Sequence, residues 1–285
     1  MTVAIGIKVT DGLVLASDSA TTLMGPVSPG GPSAIVNIYN NANKVFNLYK
    51  GLPIGGMTWG GGSIGNSSIS TLAKDFRELL CHTGTEWSVD RQNYTIEEIA
   101  KKARKFLYEE RYLPLHHGSH DPPVTGFLVA GCSSNQGLAE AWLVEVRENA
   151  PDPVRVLDLQ EFQPLCYGQP EALHRLLYGT CPRLPTVLTG VLGVPPDQID
   201  GIMQVIGMHL QIQLIQPAMP IQDAIELADF LVHLTSMYSR FSPGAPTVGG
   251  PTEIAAITKH EGFKWIKRKH YYDPRYNPPI PERGT

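Results

Sequence analysis

A threonine exposed by loss of the initiator methionine can be its own catalytic pair. Its hydroxyl is the nucleophile, and its free α-amine, with a reference pKa of about 7.7 to 8.0, is the general base. The chain begins Met1-Thr2-Val3, and a small second residue is the kind that methionine aminopeptidase admits. Threonine after methionine is common and means little by itself, so the context has to carry the argument. Thr2 opens a β-branched run, Asp11-Gly12 reverses the chain, and Leu13 to Asp18 runs back beside it. Asp18 is thereby brought to the Thr2 end. Lys44 begins another β run, from which its side chain can reach the same cleft. A lysine there would stabilise the threonine alkoxide and depress the pKa of the amine, while Asp18 would hold and neutralise the lysine.

A glycine-rich stretch, Gly55-Gly56-Met57-Thr58-Trp59-Gly60-Gly61-Gly62-Ser63-Ile64-Gly65, leads into a helical pattern. Free backbone N–H groups at such a junction can stabilise an oxyanion, although a glycine turn can equally serve close packing of helix on sheet. A phosphate cradle does not fit, because no Lys-Ser or Lys-Thr follows the glycines. Gly61-x-Ser63-x-Gly65 formally matches the nucleophile elbow of a serine α/β-hydrolase, with Ser63 as nucleophile. That fold needs parallel strands and crossover helices, whereas this chain reaches position 63 through tight hairpins. His116-His117-Gly118-Ser119-His120-Asp121 reads as a polar surface loop, having no second ligand cluster to complete a metal site. Of the four tryptophans only Trp59 is placed to line a cleft; Trp87, Trp142 and Trp265 read as packing residues.

The elements that must position these groups follow from periodicity. Val3 to Val9 with Leu13 to Ser17, and Lys44 to Tyr49 with Leu52 to Met57, form hairpins, and so an antiparallel sheet. Ser63 to Leu80 takes on helical spacing. A second helix covers Tyr94 to Arg111, with Thr95 as N-cap and Glu98 completing a capping box. Val124 to Gly131, Leu138 to Arg147 and Val154 to Leu159 return to strand character. Pro170 to Tyr178 and Ile221 to Tyr238 read as helices, and Glu253 to Thr258 with Phe263 to Lys267 as a final strand pair. Strands, two helices, strands, two helices and strands suit helices covering both sides of two stacked antiparallel sheets.

Three segments resemble one family specifically. Thr2-Val3-Ala4-Ile5-Gly6-Ile7-Lys8, Asp11 to Ser19 and Asn43-Lys44-Val45-Phe46 are similar to the opening of proteasome β-type subunits and their bacterial relatives, members of the N-terminal-nucleophile hydrolases. Gly249 to Ala255 and Ile257 to Phe263 resemble the family's last strand pair. The resemblance implies a four-layer αββα sandwich with Thr2 as nucleophile, Asp18 as its paired aspartate and Lys44 as its lysine. The oxyanion donor falls among Trp59, Gly60 and Gly61, and Thr22 joins Trp59 in the substrate cleft. The implied activity is that of a threonine peptidase or amidohydrolase acting on a peptide or protein, without a cofactor. The family also implies homo-oligomeric rings or stacks, with an ATP-dependent unfoldase as a further partner. The family's supporting aspartate and serine are not found in Gly244-Ala245-Pro246-Thr247-Val248, and its serine-bearing turn is replaced by Gly168-Gln169-Pro170. Ser242, Thr247 and Gln169 are the candidates to replace them. A catalytically silent shell or scaffold subunit is therefore the alternative from a different class, and amide ligation a third reading.

A chain of 285 residues, 42% hydrophobic and 18% charged, can bury a large core. Residues 1–270 read as one domain with insertions near 24–38 and 181–220, and 271–285 as a Pro-rich tail. Within the second insertion, Asp197 to Gln216 is apolar enough for a docking helix. A net charge of -4 and the lack of a basic block argue against nucleic acid as the main partner. Lys264, Lys267, Arg268 and Lys269 are expected to be solvated. Cys81, Cys132, Cys166 and Cys181 are too widely spaced for a metal knuckle and read as buried free thiols. No apolar run reaches the roughly 18 residues of a membrane span, and no signal core opens the chain. A cytoplasmic location is the resulting expectation.

Overall fold

The first hairpin sets the frame for everything else. Strands β1 (Val3–Val9) and β2 (Gly12–Ser17) are buried on both faces, which is why their sequences are almost wholly apolar rather than alternating. In the computed structural model, which describes residues 2–26, 33–117 and 122–269, they pair antiparallel with Ala4 opposite Ser17. Beside them lie β12 (Leu165–Gly168), β13 (Glu253–Thr258) and β14 (Gly262–Lys267), in the order β12-β1-β2-β13-β14. A second sheet runs β11-β10-β9-β6-β5, from β11 (Val154–Leu157), β10 (Glu140–Val146), β9 (Thr125–Gly131), β6 (Ile54–Gly60) and β5 (Val45–Asn47). Every strand pairing in both sheets is antiparallel, so the parallel framework of a Ser63 α/β-hydrolase does not occur among the described residues.

Three cores follow from the strand period of two. Val3, Ile5 and Ile7 point one way, to Leu173 and Leu177 of α4 (Glu171–Leu177) and Ala228 and Leu231 of α7 (Ile221–Phe241). Ala4, Leu13, Leu15 and Ile257 point the other way, meeting Val45, Met57, Leu128 and Ala141 of the second sheet. The far face of that sheet, with Phe46, Phe127 and Val144, packs on α1 (Ile69–Cys81) through Leu72 and Phe76 and on α2 (Ile96–Arg104) through Ile99 and Ala103. Lys8 faces the layer between the sheets, where its ammonium donates to the carbonyls of Asp158 and Leu159 at 2.6 and 2.7 Å.

Several expectations shift on the structure. Helix α1 starts at Ile69 rather than Ser63, because Ser63–Ile64 (β7) and Ser67–Ser68 (β8) form a small hairpin turning on Gly65 at φ 56°. Thr95 does cap α2, accepting from the Glu98 N–H at 3.1 Å. The Glu98 carboxylate turns instead to Lys102 at 2.7 Å, so the reciprocal half of the capping box gives way to an i,i+4 ion pair. Past α2 the backbone continues as a π-helical stretch, Lys105–Tyr112, into α3 (Leu113–His116). Strand β12 is not foreseen: it is short and bounded by Pro164 and Pro170. Part of the 24–38 stretch is regular, pairing β3 (Thr21–Pro26) with β4 (Ser33–Tyr39). The 181–220 stretch carries α5 (Leu184–Gly190) and α6 (Pro196–Leu210), and the chain is extended beyond Gln211 instead of helical to Gln216. Cys81 is exposed, contrary to expectation, whereas burial pushes the Cys132 and Cys166 thiols up to about 11 and about 12. The 271–285 tail and residues 118–121 of the histidine loop lie outside the described residues.

Candidate active site

Thr2 precedes β1 by one residue and shares the side of Ala4, so it opens at the end of the layer between the sheets. Its environment is built by backbone. The carbonyl of Thr2 accepts from the Gln169 N–H at 2.8 Å. Opposite, Gly168 sits at φ 90°, and a Cβ there would come 2.7 Å from the Thr2 carbonyl carbon. Only glycine satisfies both conditions. On the other side, the register that sets Ala4 opposite Ser17 brings Asp18 to Val3. The Val3 N–H donates to Asp18 Oδ1 at 3.1 Å, and those of Ala20 and Gly249 donate to Oδ2 at 3.1 and 3.0 Å.

Lys44, immediately before β5, completes the arrangement. Its ammonium lies 2.6 Å from Asp18 Oδ1, with both side chains buried. Burial lowers the Lys44 pKa below the ordinary lysine value of 10.5, opposed by the Asp18 carboxylate. With three N–H donors and one ammonium, Asp18 is satisfied as an anion. Thr2 and Lys44 both line a cavity of about 540 Å³, together with Thr21, Trp59, Gly60, Gly61 and residues of Asn40–Asn43 and α1.

The glycine loop can be resolved group by group. Along β6, the Thr58 N–H donates to Lys44 O at 2.9 Å, while the Gly61 N–H donates across to Val124 O at 2.8 Å. N–H groups two residues apart in a strand share a side. The Gly60 N–H therefore faces the Thr58 side, beyond the end of β5 and towards the cavity. Gly61 is already committed to Val124, which removes it as an oxyanion donor. Gly60 lies at φ 85°, with Val124 O 2.5 Å from where its Cβ would be. Trp59 stacks on Tyr167 with ring centroids 3.9 Å apart, and Gly126 leaves room for the indole, whose Nε1 lies 2.6 Å from a Cβ built there.

Thr22 is not brought to the cavity; its neighbour Thr21 is. Adjacent residues on a strand face opposite sides, so an assignment one residue off in register inverts the face. Ser242 donates to the Tyr238 carbonyl at 2.7 Å, closing the end of α7, and lines a different cavity with Thr247 and the Gln169 side. Ser63 is exposed on β7. Among the described residues no group of three His, Cys, Asp or Glu side chains could hold a metal ion, and no helix is long and apolar enough to cross a membrane.

No known family model matches the chain, and no curated protein matches it. Among solved structures it is similar to the Gly-1 mutant of Anbu from Hyphomicrobium sp. strain MC1, over 95% of this chain and 90% of that one, at 14% identity and a TM-score of 0.52. The fold is proteasome-like. Anbu is a bacterial proteasome-like protein with the N-terminal-nucleophile hydrolase fold, and at this identity the likeness speaks for the arrangement of the chain alone.

Proposed function

We propose that the chain is a threonine-type peptidase or amidohydrolase with Thr2 as nucleophile, built on the four-layer αββα sandwich as one domain with two insertions. The observation that carries this reading is the buried Lys44–Asp18 pair at 2.6 Å, with Lys44 lining the same cavity as Thr2 and Asp18 accepting the N–H of Val3, the residue after Thr2. Once Met1 is removed, the Thr2 amine takes the proton from its own hydroxyl as the oxygen attacks an amide carbon. The adjacent Lys44 cation favours the alkoxide and keeps the amine unprotonated. The Gly60 N–H stabilises the oxyanion of the tetrahedral intermediate. Collapse expels the amine, which leaves with the proton held by the α-amine, and water resolves the resulting ester. Asp18 touches no substrate atom; it fixes Lys44 and, through the Val3 N–H, the chain on which Thr2 sits.

Turnover of a panel of fluorogenic peptide amides by the wild type and Thr2→Ala, each checked for folding by circular dichroism, tests the reading. Loss of turnover in a folded Thr2→Ala protein is expected; full turnover ends the nucleophile assignment. Amide ligation would show as transfer of the acyl group to an added amine in the same assay.

A further inference from the structure

Lys269 departs most from its sequence context. It belongs to a basic cluster expected to be solvated, and Lys267 does reach an exposed Asp229 while Arg268 stacks over Trp265. Lys269 turns inward. Its side chain is 5% exposed, and its ammonium spends its three hydrogens on Ser19 Oγ at 2.5 Å, Ala42 O at 2.5 Å and Glu253 Oε2 at 3.4 Å. Glu253 is itself buried, and the same oxygen accepts the Lys44 backbone N–H at 3.4 Å.

We propose that Lys269 is a positioning residue for the Thr2 site, forming with Glu253 a second buried ion pair that holds Lys44 in place and balances the charge around it. The inference rests on the reading of Thr2 as nucleophile. Lys269 binds the chain at Ser19, next to Asp18, and at Ala42, two residues before Lys44; Ser19 and Ala42 are also joined directly, by the Ala42 N–H to the Ser19 carbonyl at 2.9 Å. Ser19 Oγ donates in turn to Pro251 O, tying in the segment that leads to Glu253. One ammonium thus joins the two loops that carry Asp18 and Lys44 to the segment that carries Glu253.

The charges are balanced as well as placed. The groups facing Lys44 are Asp18 at the end of β2, Glu253 at the start of β13, Lys269 beyond β14 and, across the cavity, Lys74 of α1. Asp18 and Glu253 against Lys44 and Lys269 make a buried quartet with no net charge. A buried charge left without its partner is far more disruptive than the loss of a whole pair. It also changes the potential at every neighbouring titrating group. Lys269→Met leaves the Glu253 carboxylate unopposed, so a nearby amine holds its proton to higher pH. Glu253→Gln leaves the Lys269 ammonium unopposed, and the amine loses its proton at lower pH. Gln at 253 can still accept the Lys44 N–H, so the second change is electrostatic more than geometric.

The test titrates the Thr2 amine directly, through the pH dependence of its acetylation by acetic anhydride, read by mass spectrometry of the N-terminal peptide. Relative to wild type, the midpoint should rise by about half a unit in Lys269→Met and fall by a similar amount in Glu253→Gln. The double variant should return to the wild-type midpoint, because the two effects are coupled through one ion pair. A merely structural Lys269 would not give shifts of opposite sign. An unmoved or lowered midpoint in Lys269→Met overturns the proposal and leaves the Thr2 reading standing. Should Lys269→Met fail to fold, the double variant decides: a midpoint as low as that of Glu253→Gln alone overturns the proposal. Retention of Met1 on the wild-type protein overturns the Thr2 reading, and this proposal with it.

Discussion

Replacing Gly168 with alanine isolates the packing that holds the nucleophile. Gly168 stands at φ 90° opposite Val3 in β1, and a methyl group there would come 2.7 Å from the Thr2 carbonyl carbon. The same methyl would overlap the Thr2 carbonyl oxygen, nearer still than the carbon, and unstrained contacts lie near about 3.5 Å, so Thr2 and β12 must part by at least roughly an ångström, stretching the 2.8 Å bond from the Gln169 N–H. Two costs follow. A non-glycine residue in this backbone region carries about 1–3 kcal/mol of strain, which for a chain of this length lowers Tm by about 2–5 °C. A displacement of about 1 Å at a reacting group can cost about a hundredfold in rate. Gly193→Ala separates them: Gly193 lies at φ 67° with nothing within 4 Å of its Cβ position, so it incurs strain without touching Thr2. Thermal denaturation and kcat/KM on a fluorogenic peptide amide are measured for both. Gly168→Ala should lose about two orders of magnitude in turnover that Gly193→Ala keeps. Equal turnover in the two variants, at comparable stability, would refute the claim that Gly168 seats the nucleophile.

Lys44→Ala leaves Asp18 buried without its cation and should cost about 3–5 kcal/mol by urea denaturation, with turnover abolished; Lys44→Arg keeps the charge but not the compact ammonium, and turnover should stay lost. Because burial lowers the Lys44 pKa, the folded protein gives up this proton below pH 10.5, and activity that needs the cation should fall on the alkaline side before that pH, as a pH–rate profile would show. Exposed apolar side chains on α6 and α7, Val205, Met208, Phe230 and Phe241 among them, predict a homo-oligomer built through helix faces. Light scattering that finds a stable monomer at micromolar concentration would refute that reading.

How much of this the sequence discloses depends on the range of the interaction. The β1–β2 hairpin is written locally, in an apolar run, Asp11-Gly12 and the return strand, so the approach of Asp18 to the Thr2 end follows from turn chemistry. Lys44 needs a resemblance, because nothing local says which way it points. Parity decides Thr21 against Thr22 and Gly60 against Gly61, and a one-residue uncertainty in register is enough to invert a face. Strand β12 hides because it is only four residues long and lies between Pro164 and Pro170, too short for an alternating pattern to show. Lys269 is illegible for a different reason: its partners Ser19, Ala42 and Glu253 come from three separate parts of the chain, and beside Lys264, Lys267 and Arg268 it reads as one more solvated charge. Glu98 shows that two local preferences can compete, with Lys102 offering the carboxylate an ion pair where the capping box offers one N–H.

Mass spectrometry of the protein before and after treatment with a hydroxyl-acylating β-lactone tests the central claim most directly. The account predicts an intact mass lacking Met1 and a single covalent adduct that maps to Thr2. Retention of Met1 on most molecules, or an adduct that maps to Ser63 or elsewhere with Thr2 unmodified, would contradict it.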